Sequence, residues 1–111
     1  MTKYHAKKVK TEDGTFDSQA EYRRWCELKL MERAGEIYDL SRQPRFALDV
    51  GDERVCIYVA DFEYYGGSGP GHDGHGLRVV EDVKGVKTPI YKLKKKLMLA
   101  CHGIEIQEVA A

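Results

Sequence analysis

The last third of the chain most constrains the fold. Residues 77–84, LRVVEDVK, read as a strand. Thr88-Pro89 then places a helix cap before a proline at the first helical position. The helix predicted from there runs to about His102 and stops at Gly103, and IEIQEV, 104–109, alternates as another strand. A strand, a helix and a strand in that order make a parallel pair with a right-handed crossover. Upstream, RVCIYVADFEYY (54–65) is the strongest strand signal in the chain, rich in β-branched and aromatic residues. The segment between the two strands, GGSGPGHDGHG (66–76), holds six glycines and a proline and reads as a long loop.

The rest fits around that frame. Residues 1–17 read as a basic arm followed by a turn or small hairpin at Asp13-Gly14. Ser18 and Glu21 have capping-box spacing, and a helix follows from Gln19 to Ala34, with Tyr22, Trp25, Cys26, Leu28, Leu30 and Met31 as its apolar face and Gly35 as its stop. Short strands are expected at 37–40 and 46–50, with a bend or sheet edge at the intervening Pro44. In the second helix, Ile90, Leu93, Leu97 and Ala100 fall on one face. The expected architecture is one domain, 1–111, of mixed α/β (α+β) class: a mixed sheet flanked by helices, with a modest core.

The N-terminus is polar and no window approaches the ~20 apolar residues of a membrane span, so a soluble, cytoplasmic protein with no membrane partner is expected. Three separated cysteines, Cys26, Cys56 and Cys101, form no CxxC and read as buried, reduced thiols.

A formal net charge of zero hides a strong asymmetry. Residues 1–10 carry four lysines and no acid, 84–102 carry six lysines and no acid, and 11–63 carry thirteen acids against seven basic residues. Basic blocks flanking an acidic middle fit a polyanion held around a carboxylate-bearing centre, and a solvated lysine face is the alternative. Lys7 and Lys8 lie in the first block. Lys87, Lys92, Lys95 and Lys96 lie in the second, where Lys92 and Lys96 share a helix face and Lys95 lies close to it. Phosphates would relieve the mutual repulsion of these lysines and release counterions. Tyr91 either joins such a contact or packs into the core.

The candidate chemistry lies on the strands. A bare acid-x-Lys pattern carries little information, but Asp82-Val83-Lys84 is on an expected strand, where residues two apart share a face with Cα atoms about 6.5 Å apart. Asp61 interrupts the other strong strand. If the two strands pair, Asp61 and Asp82 are neighbours whose repulsion a divalent cation would relieve, hard oxygens favouring magnesium. Lys84 would then neutralise charge on a phosphorane-like transition state or orient a water. The alternative leaves all three as strand-end residues facing water. Glu21 is read either as the capping-box carboxylate or as a third acid near the metal. His72, Asp73 and His75 in the glycine loop fall short of the four ligands usual in a structural zinc site and read as an exposed, metal-free stretch.

Asp61 followed by Asp82-x-Lys84 resembles the PD-(D/E)xK nuclease superfamily. The segments FDSQAEYRRWCELKLMERAGEI, QPRFAL, YVADFEYY and VVEDVKGVKTPIYKLKKKLMLA, taken in order, resemble a phage and prophage family within it. The resemblance implies a restriction-endonuclease-like αβββαβ core and a metal-dependent DNA endonuclease using Mg2+ or Mn2+. Asp61, Asp82, Lys84 and Glu21 would be catalytic, and Asp61, Asp82, Glu21 and the main chain of Val83 would serve the metal. Gln43 matches a glutamine often found near such sites, or else is a hydrogen-bonded turn residue. The residue pair before Asp61 is Val-Ala rather than the proline of the superfamily's name, and the glycine loop is longer than this family leads one to expect. DNA is the expected partner, in junction resolution or nicking, with a homodimer suited to a two-stranded substrate. A DNA-binding module without turnover is the other reading.

Overall fold

The computed structural model describes residues 7–66 and 77–111. The expected glycine loop with His72, Asp73 and His75, and the start of the basic arm with His5, lie outside the described residues. Strands β1 (Val9–Thr11) and β2 (Gly14–Phe16) form an antiparallel hairpin. Its turn is held to helix α1 (Gln19–Arg33) by Asp13, which accepts from Trp25 Nε1 at 3.3 Å and Lys29 Nζ at 3.1 Å.

Helix α1 starts at Ser18, whose Oγ accepts the Glu21 N–H at 3.1 Å. Leu28 is fully buried, and Tyr22, Trp25 and Met31 pack around it. Leu30 departs from expectation and is 61% exposed. It sits two positions from Leu28, on the opposite side of a 3.6-residue helix.

Strand β3 (Ile37–Arg42) carries a bulge at Asp39, where φ is +56°. At Gln43, φ is +54°, and Pro44 follows; together they turn the chain out of the sheet and into β4 (Arg45–Val50). Strand β5 (Glu53–Val59) returns antiparallel to β4, and the pair forms a separate two-stranded sheet. The segment 54–65 is therefore not one strand. It breaks after Val59 and resumes as β6 (Phe62–Gly66). At the break the backbone changes partners: the Ala60 N–H bonds Pro44 O at 3.1 Å, while the Asp61 N–H bonds Glu81 O at 3.1 Å.

Strand β7 (Leu77–Lys84) pairs antiparallel with β6. Helix α2 (Pro89–His102) then crosses to β8 (Gln107–Ala110), parallel to β7 as the strand–helix–strand order requires. The last strand begins later than expected because the Ile104 N–H is still bonded to Met98 O at the helix end and the Ile106 side chain is core. With the β1–β2 and β4–β5 hairpins set aside, the order is α1, β3, β6, β7, α2, β8. It forms a mixed sheet β3-β6-β7-β8 flanked by helices.

Two apolar clusters cover the two faces. Phe16, Leu28, Ile37, Phe62 and Tyr64 pack under α1. Phe46, Leu48, Tyr58, Ala60 and Val80 pack with Tyr91 and Met98 of α2. The buried seam of α2 is thus Tyr91 and Met98; of the expected face Ile90, Leu93, Leu97 and Ala100, only Leu97 is partly buried. Ile90 and Leu93 are 67% and 57% exposed. The binary apolar pattern misses a tyrosine whose hydroxyl finds a partner, which makes its ring good core material. The three cysteines are free, but none is fully buried: Cys26 and Cys56 are half-buried and Cys101 is exposed at the end of α2. Among the described residues no helix is long and apolar enough to cross a membrane.

Candidate active site

Strand β7 carries two adjacent buried acids, Glu81 and Asp82, each 2% exposed. Successive residues of a strand point to opposite faces, so each needs its own partners. Glu81 faces α1, where Arg24 grips it with Nε at 2.8 Å and Nη2 at 2.6 Å and the Tyr64 hydroxyl donates to the same carboxylate. This cluster fastens α1 to the sheet. Arg24→Ala leaves Glu81 buried with only Tyr64. An expected loss of about 2 kcal/mol, lower than for a fully buried pair because Arg24 is partly exposed, should appear in urea unfolding.

Asp82 faces α2. The Tyr58 hydroxyl donates to its Oδ2, and Lys84 Nζ lies 3.4 Å from its Oδ1. The two-residue strand spacing thus brings Asp82 and Lys84 together as expected. Asp61 sits one step beyond the Phe62–Glu81 pair, directly across from Asp82. Its Oδ2 accepts the Val83 N–H at 2.7 Å, so Val83 positions Asp61 through its main chain. Burial, then hydrogen bonding to the Asp82 carboxyl and its charge, push the Asp61 carboxyl up to about 8; the Val83 N–H pulls the other way. Two carboxyl groups this close cannot both be ionised unless a cation lies between them.

The Glu21 carboxylate reaches back past the cap to Asp17 rather than to the Ser18 N–H of a reciprocal capping box. One oxygen accepts the Asp17 N–H at 3.4 Å while Ser18 caps the Glu21 N–H, and the other oxygen is buried with no hydrogen-bond partner among the described residues. Its pKa is raised, chiefly by burial and then by Asp17, with Arg42 opposing and Asp82 adding to the rise. The third acid is therefore within electrostatic reach of the pair.

The lysines divide. Lys84 Nζ lies 4.4 Å from the centre of the Tyr91 ring, and the Tyr91 hydroxyl donates to Glu108 at 2.9 Å. Lys87 and Lys95 also converge on Glu108, at 3.0 and 3.1 Å. Together the hydrogen bonds from these three residues hold the Glu108 carboxyl down at about 2. Lys92 and Lys96 line the same groove, of about 540 Å³. Lys7 and Lys8 line a different hollow with Lys10 and Gln19, and Lys8 pairs with Asp17 at 3.2 Å. Gln43 is exposed, and its N–H bonds Asp61 O at 2.9 Å, which puts it in the strand break beside the acid pair.

Sequence reasoning missed Tyr58, Glu108 and the Arg24–Glu81 clamp. A tyrosine in a buried strand implies a polar partner for its hydroxyl, which was the available signal for Tyr58. The partnership of Glu108 depends on the parallel register that sets it beside Asp82.

Among the described residues no three His, Cys, Asp or Glu side chains gather as a metal-binding group. The donors on hand are two apposed carboxylates, a set of hard oxygens that suits a magnesium-class ion retaining its own waters rather than a closed protein cage.

The fold and site define a small mixed α/β domain with an acid pair and a lysine at the junction of two strands. Residues 1–105 match the family described as protein of unknown function (DUF1064), and the chain belongs to that family. Searches of curated proteins and of solved structures returned no match.

Proposed function

We propose that the chain is a metal-dependent DNA endonuclease of the PD-(D/E)xK kind, hydrolysing phosphodiester bonds. The observation that carries this reading is the cross-strand contact of Asp61 with Asp82, with the Lys84 ammonium 3.4 Å from Asp82. Asp61, Asp82 and the main chain near Val83 would hold Mg2+ or Mn2+, with Glu21 behind them. A bound ion would supply Lewis acidity to the phosphoryl oxygen and lower the pKa of a coordinated water. The chain's own residues do the rest. Tyr58 and Val83 orient the two carboxylates. Lys84 supplies positive charge where negative charge grows on the phosphoryl group. Lysines of α2 and of the N-terminal block, with Gln43 at the strand break, contact the backbone. One acid pair cuts one strand, so duplex scission calls for two copies of the chain, and branched DNA is a natural substrate for such a pair.

The test is incubation of supercoiled, nicked, linear and four-way DNA with Mg2+ or Mn2+. Nicked or linear products are expected with metal and none with EDTA. Retention of DNA with no cleavage under any metal would identify a binding module instead. Neither retention nor cleavage would remove DNA from the account.

A further inference from the structure

We propose that the groove between α2 and β8 is a seat for a nucleic-acid backbone phosphate beside the acid pair, and that Glu108 occupies it as an internal counter-ion until a phosphate displaces it. The choice of nucleic acid rests on the nuclease reading; the seat itself rests on local geometry. One carboxylate receives a hydroxyl and two ammonium groups within 3.1 Å. This is the donor set that a phosphate oxygen requires, already assembled around an anion.

The groove is lined by Lys87, Lys92, Lys95 and Lys96 against Glu105 and Glu108, so positive charge is in excess. Lys92 and Lys96 are exposed and have no ion-pair partner among the described residues. Glu108 lies opposite Asp82 in the β7–β8 register, and Tyr91 spans the interval, with Lys84 over its ring and Glu108 at its hydroxyl. The seat and the acid pair thus lie on either side of the Tyr91 side chain.

Magnitudes favour the exchange. Partly exposed Lys–Glu pairs are individually weak in water. A polyanion gains by releasing a condensed counterion for each lysine it engages. The Glu108 carboxyl is ionised at neutral pH, so displacement, not protonation, opens the seat.

Affinity for fluorescein-labelled duplex DNA, measured by anisotropy in EDTA across a salt series, tests the proposal without cleavage. Glu108→Gln is expected to bind about fivefold tighter at moderate salt, with a salt slope steeper by about one ion. Lys92→Glu/Lys96→Glu should bind at least about tenfold more weakly. Unchanged affinity and slope in a folded Glu108→Gln would overturn the seat. Should that variant fail to fold, the exposed double substitution decides alone, and wild-type affinity there overturns it equally. The two readings fail separately: metal-dependent cutting with unaltered binding in both variants removes the seat and keeps the nuclease, while altered binding with no cutting does the reverse.

Discussion

Asp82→Asn and Lys84→Met should each lower metal-dependent plasmid cleavage by about 10³-fold while the protein stays folded. The size follows from what each change removes. Asparagine keeps an acceptor for the Tyr58 hydroxyl but carries no charge for a cation or for Lys84. Methionine keeps the length of Lys84 over the Tyr91 ring and deletes only the ammonium. Loss of one positioned charge at a reacting phosphoryl group costs on the order of 10²–10³ in rate, and loss of a metal-holding carboxylate costs at least as much. Thermal melts check the fold. DNA retention in EDTA checks that substrate still binds. Cleavage at the wild-type rate by either variant would end the assignment of catalysis to this corner of the sheet.

The centre of that corner could be read from sequence because it follows from strand alternation. Asp82 and Lys84 share a face for the same reason that Val80 and Asp82 do, and the pairing of β6 with β7 follows from two strand-like runs joined by one loop. The break at Ala60-Asp61 was not legible. Good strand formers lie on both sides of Ala60-Asp61, and what separates them is a change of neighbour: Pro44 O takes the N–H of Ala60 and Glu81 O takes the next. That break puts Asp61 at the start of β6, where it can meet Asp82. Glu81 is a buried charge in an otherwise largely apolar strand. Its partner, Arg24, is 57 residues away on the other face of the sheet, and no local pattern announces such a contact.

The lysine block shows the same limit from the other side. Six lysines with no acid among them read as unpaired, yet two of them share one glutamate from β8. A charge count along the chain sees neighbours in sequence. A parallel crossover brings in neighbours from beyond the helix, and Glu108 arrives by that route. Among the described residues, Lys92 and Lys96 are left exposed without an ion-pair partner, while Lys87 and Lys95 are engaged by Glu108.

In metal-free buffer, Asp61→Asn should melt higher than wild type at pH 8, and the gain should vanish by about pH 4. The folded Asp61 carboxyl keeps its proton up to about pH 8, against an ordinary value of 3.8. Between those values the folded state holds a proton that the unfolded chain has released. Stability is therefore full below the unfolded value and drains away as pH rises through the folded one. Asparagine is neutral throughout. Its oxygen keeps the Val83 N–H, and its amide donates to Asp82 in place of the shared proton. The expected gain at pH 8 is roughly 3 kcal/mol, reduced from the full pKa separation because the side chain is only partly buried. For a domain of this size that is upward of roughly 10 °C in Tm. Saturating Mg2+ should narrow or reverse the gap, since a cation bound by the folded wild type stabilises it by mass action and the asparagine variant has lost the ligand. A gap of constant size from pH 4 to 8, unmoved by Mg2+, would mean that the two acids are not in contact, and with that the reason to place a cation between them would be gone.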